Sequence, residues 1–276
     1  MRWSPGGRSE NLEDRRGRSF GGPVGIGGGL ITLVLALIFG PQILSNGSDQ
    51  TTNSYGDVSP ADSAREEPTV QFVSFIIDDV QNSWTSKFSD MGERYSPAKL
   101  VLFRDGTESG CGVAQSAMGP FYCPVDQKVY LDLGFFDELN RRFGAPGDFA
   151  QAYVIAHEFG HHVQHLLGTE QRVRQLQEQR PSDANQLSVR LELQADCYAG
   201  VWGKSAASRG ELEAGDVEEG LRAASAVGDD RIQQQETGRV NVDSFTHGSA
   251  QQRSSWFRRG FESGDPRSCD TFAGGV

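Results

Sequence analysis

The chain has 276 residues, 37% of them hydrophobic, and its formal net charge of −11 corresponds to an isoelectric point near 4.9. This length allows one large domain or two small ones. The sequence contains no run of Lys and Arg that is typical of a nucleic-acid patch, and phosphate binding needs a basic surface, so the composition argues against nucleic acid as a partner.

A long uncharged segment follows the N-terminal region. No charged residue occurs between Phe20 and Ser48, and about 20 apolar residues are enough to cross the hydrocarbon layer of a membrane. We therefore predict a transmembrane signal anchor at residues 22–44. A cleaved signal peptide is the alternative, but residues 40–44 offer no small-x-small cleavage site.

The charges on either side of this segment predict its orientation. Residues 1–21 contain five Arg and three acidic residues, whereas the stretch from the anchor to Val70 contains five acidic residues and only Arg65. Cytoplasmic flanks carry the excess of positive charge. We therefore expect residues 1–21 to be a cytoplasmic segment, the lipid bilayer to be a partner, and the rest of the chain to be extracytoplasmic.

Residues 45–68 are mostly Ser, Asn, Asp, Thr, Gly and Pro, with almost no large apolar side chain. Such a segment cannot bury enough apolar surface to offset its conformational entropy. It is predicted to be a flexible linker between the anchor and a domain that comprises residues 69–276.

The domain begins with apolar residues at helical spacing, which predict a helix over residues 69–91. Four short strands are predicted next, followed almost entirely by helices, and Asp148 is the expected N-cap of the second of these helices. The strands are expected at 98–104, 112–117, 121–123 and 128–132, and the helices at 135–143, 149–167, 169–179, 183–206, 214–226 and 250–262. A small sheet, taken to be antiparallel, followed by helices is an α+β pattern.

The four cysteines agree with an extracytoplasmic location. None lies in a C-x-x-C pair, which argues against a zinc ribbon or a thioredoxin-like motif, and disulfides are the default in oxidising compartments. We predict the pairs Cys111–Cys123, across neighbouring strands, and Cys197–Cys269, joining the C-terminus to a helix. The sequence leaves the two other connectivities open.

Four of the five histidines lie between residues 157 and 165, and His157, Glu158 and His161 form the pattern H-E-x-x-H. Residues four apart stack on one face of a helix, so both imidazoles can reach one ion. Zinc binds two neutral imidazoles readily. Glu158 is offset by one residue, so it flanks the metal and is predicted to be the general base.

The two remaining histidines of this run are not expected to bind the same ion. His165 is about 12 Å further along a straight helix than His157, and His162 points about 100° away from His161. Side chains separated in this way do not converge on one metal. Both are predicted to have no catalytic part.

A catalytic zinc needs a third protein ligand. Glu192 and Asp196 are four residues apart on a strongly helical stretch, so they share a face. One carboxylate would complete the zinc shell, and the other would accept a hydrogen bond from the second ring nitrogen of a ligand histidine. An ordinary solvated face with two acids is the alternative.

Together these motifs resemble the gluzincin clan of zinc peptidases, typified by thermolysin. More closely, the chain resembles the neutral zinc metallopeptidases of bacteria, a family of membrane-anchored proteins with one gluzincin-like domain. The resemblance covers essentially residues 70–272, and its segments are Ser116-Ala117-Met118-Gly119-Pro120-Phe121-Tyr122-Cys123-Pro124, His157 to Gln164, Leu191 to Gly200, Asp243 to Gly248, Gly264-Asp265-Pro266 and Cys269. The resemblance implies a zincin-like fold with Zn²⁺ bound by His157, His161 and Glu192. It also implies that Glu158 is the general base and that Asp196 is a hydrogen-bond partner of a ligand and not itself a ligand.

His247 is the only histidine far from the cluster, in a loop flanked by Gly and Ser, and Asp243 precedes it by four residues. An imidazolium oriented by Asp243 would suit stabilisation of the oxyanion in peptide hydrolysis. A loop histidine with a structural hydrogen bond is the alternative.

Gluzincins usually present an edge strand to which an extended substrate adds as an antiparallel strand. Gln115, Ser116, Ala117 and Met118 are the best candidates for this strand, adjacent to the predicted Cys111–Cys123 bridge. An ordinary hairpin edge is the alternative.

The sequence thus predicts a membrane-anchored zinc metallopeptidase that acts on proteins or peptides. One alternative is a zinc hydrolase of cell-wall amide bonds. The other is a zinc-stabilised binding or scaffold domain without turnover. A structural zinc is normally closed by four protein ligands, however, and such a site would have no use for Glu158.

Overall fold

The structure, a computed structural model, describes residues 1–17 and 60–274. The predicted anchor at 22–44 lies outside the described residues, and so do residues 45–59 of the predicted linker. Among the helices of the described ranges, none is both long enough and apolar enough to cross a membrane.

The described residues contain two small sheets. Their six strands are β1 (Leu12–Asp14), β2 (Lys99–Phe103), β3 (Gly106–Ser109), β4 (Gly112–Gln115), β5 (Phe121–Cys123) and β6 (Lys128–Asp132). Strands β3 and β4 form a separate antiparallel hairpin. The main sheet has the order β1-β2-β6-β5, so β5 lies at one edge.

The main sheet is mixed, which corrects the prediction of an antiparallel sheet. Strand β2 pairs in parallel with both β1 and β6, and only β5 runs antiparallel to its neighbour. Residues 104–127 connect β2 to β6, a connection long enough for a parallel crossover. Leu100, Val101 and Leu102 are buried, in agreement with the continuous apolar run of a strand covered on both faces.

Eight α-helices account for most of the remaining described residues: α1 (Pro60–Asp90), α2 (Gly134–Arg141), α3 (Asp148–Leu166), α4 (Thr169–Gln179), α5 (Ala184–Ser208), α6 (Asp216–Ala226), α7 (Asp229–Thr237) and α8 (Ala250–Ser263). Every predicted helix is present, and together with the small sheets they form an α+β domain. Helix α7 was not predicted, because Ile232 is its one apolar side chain and no hydrophobic periodicity arises.

The N-terminal segment is part of this folded body, unlike the separate cytoplasmic segment predicted for residues 1–21. Leu12 pairs with Leu100 in the sheet, and the ring of Trp3 lies 5.3 Å from that of Phe72 on α1. Residues 1–17 and the domain therefore form one folded body.

Ion pairs extend the contact between the N-terminal segment and α1. Arg16 is buried and pairs with Asp14 and Glu66, each at 2.7 Å, while Arg8 pairs with Glu67 at 2.6 Å. Two of these partners, Glu66 and Glu67, lie within residues 45–68, the predicted flexible linker. Helix α1 begins at Pro60 rather than near residue 69, because paired charges stabilise its polar first turns in place of apolar burial.

Helix α3 lies in the core, and most of its own side chains, such as those of Phe149, Phe159 and Val163, are buried. Helix α5 packs against α3 on one side and against α8 on the other. The α5–α8 crossing is very close: a Cβ on Gly200 would overlap the Phe257 carbonyl oxygen, and one on Gly260 would overlap that of Cys197.

Both predicted disulfides, Cys111–Cys123 and Cys197–Cys269, are present. The first joins the β3–β4 hairpin to strand β5. The second joins helix α5 to the 3₁₀ turn Pro266–Cys269, so the C-terminal segment is fixed to the helix that carries Glu192 and Asp196.

Candidate metal centre

Helices α3 and α5 bring together two histidines of α3 and a carboxylate of α5 that lies 31 residues after His161 in the sequence. His157 Nε2 lies 3.1 Å from Glu192 Oε2, and His161 Nε2 lies 3.5 Å from Glu192 Oε1. The two imidazole rings are 4.8 Å apart. The spacing of four residues on α3 aligns the imidazoles, and the packing of α5 on α3 adds the carboxylate.

The other ring nitrogen of each histidine is already engaged. His157 Nδ1 lies 2.9 Å from Asp196 Oδ1, and His161 Nδ1 lies 2.9 Å from Gln164 Oε1. Because a carboxylate and an amide oxygen only accept hydrogen bonds, both Nδ1 atoms carry a proton, and Nε2 is the atom of each histidine that faces Glu192 and can bind a metal once it is deprotonated.

This donor set fits a catalytic zinc. One atom each from His157, His161 and Glu192 lie within 4.8 Å of one another. Two imidazoles and one carboxylate are a ligand set of catalytic zinc, which leaves a position for water or substrate. Asp196 and Gln164 accept hydrogen bonds from the Nδ1 atoms of these histidines, as the outer partners of zinc-binding histidines usually do.

Gln164 was not recognised from the sequence as part of this site. Its side chain is buried, and its Nε2 donates to the carbonyl oxygen of Leu191 at 2.6 Å and to Gln194 Oε1 at 3.1 Å. These two bonds aim its oxygen at His161. The position three residues after His161, one helical turn away, is a signal that could have suggested this contact.

The ligands form a strongly coupled set of charges. Burial lowers the pKa of His157, but the charge of Asp196 and the hydrogen bonds that the ring donates to Asp196 and Glu192 outweigh burial and raise the pKa to about 10. Burial raises the pKa of Glu192, whereas the charges of His161 and His247 and its hydrogen bonds leave it well below its usual value. A metal that binds here displaces a proton.

Glu158 is buried beside these ligands. Within the described part of the chain, no hydrogen bond joins its carboxylate to another group. Burial raises the pKa of this carboxyl, although the charges of His157 and His161 counteract the effect. A buried carboxylate with a raised pKa and free oxygens has the properties of a general base.

His247 is oriented by Asp229 and not by Asp243. Its Nδ1 lies 3.2 Å from Asp229 Oδ1, while Asp229 Oδ2 accepts the backbone N–H groups of Thr246, His247 and Gly248 at 2.7, 2.7 and 3.0 Å. Asp243 is exposed in the 3₁₀ turn Val242–Ser244. Sequence reasoning missed Asp229 because it begins the unpredicted helix α7, eighteen residues before His247.

His247 is electrostatically close to the metal ligands. Burial lowers its pKa, but the charge of Glu192 and then the contact with Asp229 raise it above the usual value. The loop that carries His247 therefore faces the same site as α3 and α5.

The other two histidines lie outside the donor set. His162 is fully buried, with Nε2 2.7 Å from the Ser96 carbonyl oxygen and Nδ1 3.0 Å from the Tyr122 hydroxyl, and burial lowers its pKa to about 4. His165 pairs with Glu170 at 2.9 Å. His162 thus connects α3 to strand β5 as a neutral structural group.

The predicted substrate strand has a different conformation. Strand β4 ends at Gln115, and Ser116–Met118 form a 3₁₀ turn that is closed by a bond from the Gly119 N–H to the Ser116 carbonyl at 3.1 Å. A 3₁₀ turn cannot pair with an extended peptide. The strand at the sheet edge near α3 is β5, which pairs with β6 on one side.

Comparison with known proteins shows the family of this chain. A family model described as "Putative neutral zinc metallopeptidase" matches residues 1–272. The chain belongs to this family. The match includes residues 1–17 as well as the domain, consistent with their packing into one folded body.

Similar proteins occur in Escherichia coli and Mycobacterium tuberculosis. "Uncharacterized protein YpfJ" of Escherichia coli (strain K12) is 52% identical over 287 residues, which cover 99% of each chain. "Uncharacterized protein Rv2575" of Mycobacterium tuberculosis (strain ATCC 25618 / H37Rv) is 45% identical over 214 residues, covering 74% of this chain and 72% of the relative. No solved structure matches the chain significantly.

Proposed function

We propose that this chain is a zinc-dependent peptidase that hydrolyses peptide bonds of proteins or peptides. The observation that carries the proposal is the convergence of His157 Nε2, His161 Nε2 and Glu192, with Glu158 buried beside them. Bound zinc would supply a Lewis acid that polarises the peptide carbonyl and makes water more acidic.

Glu158 is proposed to move the proton. Its carboxylate would accept a proton from the attacking water and then donate it to the amine that leaves when the peptide bond breaks. Its burial supports this role, because burial raises the pKa of the carboxyl and brings it closer to that of a group that exchanges protons near neutral pH.

His247 is proposed to donate a hydrogen bond to the oxyanion that develops on the peptide carbonyl. Its Nδ1 faces Asp229 at 3.2 Å, and the charge of Glu192 and the contact with Asp229 raise its pKa. Both changes favour the imidazolium, which keeps an Nε2–H for the substrate. Preorganised donors of this kind stabilise the transition state more than the bound substrate.

Replacing His247 with Ala is expected to lower kcat about 10²–10³-fold, the usual cost of one oxyanion donor. KM and zinc affinity should stay close to wild type, because the side chain is not a ligand. Steady-state kinetics on a fluorogenic peptide, with Asp243→Asn as an exposed control, measure the effect. An unchanged kcat in the Ala variant would leave His247 with a structural role.

The substrate backbone is proposed to add to the free side of β5. Tyr122 in this strand is joined to His162 on the helix that carries the ligands, which fixes the strand relative to the metal centre. The adjacent Gln115–Met118 segment is not proposed as the pairing strand, because its 3₁₀ turn lacks an extended backbone.

The domain is proposed to lie outside the cytoplasm. Its four cysteines are all paired, and such disulfides persist in oxidising compartments. Residues 22–44 remain the proposed site of membrane contact. Residues 1–17 are proposed to lie on the same side as the domain, because β1 pairs with β2.

The experiment that tests the proposal is digestion of an unfolded protein by the purified full chain, with new termini identified by mass spectrometry. Cleavage should stop after chelation and return when zinc is added. A chain that binds zinc but cleaves no peptide bond would favour the binding or scaffold alternative. Release of only cell-wall amide fragments would favour the other hydrolase.

A further inference from the structure

Asp196 is a fully buried carboxylate of the metal centre with four hydrogen bonds from side chains. Its Oδ1 accepts from the Tyr153 hydroxyl at 2.5 Å and faces His157 Nδ1 at 2.9 Å. Tyr153 lies one turn before His157 on the same face of α3. These two contacts, however, leave Oδ2 and the negative charge without compensation.

Arg253 on helix α8 donates a hydrogen bond to Asp196 Oδ2 and compensates the negative charge of this carboxylate. Its Nε donates to Asp196 Oδ2 at 2.8 Å, and its Nη2 donates to Oδ1 at 3.0 Å. Its third nitrogen, Nη1, donates to the Val227 carbonyl oxygen at 3.1 Å. The guanidinium is thus attached on two sides and cannot rotate without losing a bond, and its side chain is only 5% exposed.

We propose that Arg253 is a positioning residue for the metal centre, acting through Asp196 on the ligand His157. The two-point contact sets the plane of the Asp196 carboxylate, so that Oδ1 accepts the Nδ1–H of His157. The Nε2 lone pair of His157 then faces the metal position. This inference rests on the proposed zinc site but not on peptidase turnover.

A buried carboxylate without a cationic partner is strongly destabilised. Asp196 without Arg253 would therefore turn, take up a proton or admit water, and each change would weaken the hydrogen bond that orients His157. A bidentate guanidinium fixes geometry as well as charge, which a Lys ammonium does not.

The fold brings Arg253 to this position through backbone contact. Gly200 on α5 and Gly260 on α8 have no side chain, so the two helices cross closely enough for Arg253 to reach Asp196. The Cys197–Cys269 disulfide, at the residue after Asp196, attaches the segment beyond α8 to α5 as well.

The test compares Arg253→Met and Arg253→Lys with wild type by zinc competition against a chromogenic chelator and by the visible spectrum of the cobalt-substituted protein. In Arg253→Met, His157 is expected to be less well oriented, so the zinc Kd should rise about 10–100-fold and the cobalt spectrum should change. The Lys variant, which keeps the charge but not the two-point contact, should fall between wild type and Met.

Arg16→Met is the matched control, because Arg16 is also buried and paired with two carboxylates, but these are Asp14 and Glu66, which do not belong to the metal centre. The Arg16→Met variant should have a lower melting temperature and an unchanged zinc Kd and cobalt spectrum.

A wild-type zinc Kd in folded Arg253→Met, or equal changes of the Kd in Arg253→Met and Arg16→Met, would overturn the inference. If the Met variant does not fold, a wild-type Kd and spectrum in Arg253→Lys would overturn it instead. None of these results depends on cleavage, so the peptidase proposal stands or falls separately.

Discussion

Replacing Glu158 with Gln is expected to lower kcat about 10²–10⁴-fold, the range that general base catalysis contributes, while zinc content stays at the wild-type level. Gln has the volume of Glu but cannot accept a proton. Glu158 lies outside the group of three converging donors, so its replacement should not weaken metal binding. Peptide cleavage and elemental analysis on the same preparations measure both quantities.

The Glu158→Gln experiment needs a matched control. Glu170→Gln changes the same chemical group on α4, where Glu170 pairs with His165 and Arg174 outside the donor set, and should cleave at the wild-type rate. If Glu158→Gln also cleaved at the wild-type rate with zinc bound, the proposed role of Glu158 would be wrong. Loss of zinc together with activity would instead indicate that Glu158 supports the metal.

Replacing Gly260 with Ala is expected to destabilise the domain by about 3 kcal/mol or more, because overpacking of a tight core contact has costs of this size. The added Cβ would overlap the Cys197 carbonyl oxygen on α5, and a backbone atom cannot move aside as a flexible side chain can. Helix α8 would be displaced, and Arg253 with it. Thermal unfolding should show a melting temperature about 10 °C lower.

Ser255→Ala is the control for this variant, because it makes the same kind of helix substitution at an exposed position of α8. It should leave the melting temperature within about 2 °C of wild type, as exposed substitutions usually do. Equal stability of Gly260→Ala and wild type would contradict the close α5–α8 crossing. Zinc affinity should fall in the glycine variant alone, since Arg253 acts through this crossing.

The parts of the site that could be predicted from the sequence are those set by helical geometry. His157 and His161 are four residues apart on one helix, so their convergence follows from local structure. Glu192 and Asp196 share a helix face for the same reason, and the structure assigns one to the donor set and the other to His157 Nδ1.

The parts that could not be predicted depend on tertiary packing. Arg253 reaches Asp196 from α8, and Asp229 reaches His247 from α7, and no spacing in the sequence relates these pairs. Asp243 is predicted to orient His247 only because the two residues are close in sequence. Proximity in sequence is a poor guide in a loop, because the direction of each side chain depends on the turns between them.

The contacts of the N-terminal segment also depend on tertiary packing and could not be predicted from the sequence. Its five Arg predict a cytoplasmic flank when only charge is counted. In the folded protein Arg8 and Arg16 pair with acidic residues of α1, and Leu12 joins the main sheet. The same charges that indicate an orientation in a membrane thus serve as ion-pair partners within the domain.

The most direct test of the metal centre is the zinc content of the purified wild type and of Glu192→Gln, measured by elemental analysis after extensive dialysis. Three protein ligands hold a catalytic zinc, so wild type should retain about one zinc ion per chain and the variant should retain little. A wild-type chain without zinc, or a Glu192→Gln variant with the full wild-type content, would contradict the centre formed by His157, His161 and Glu192.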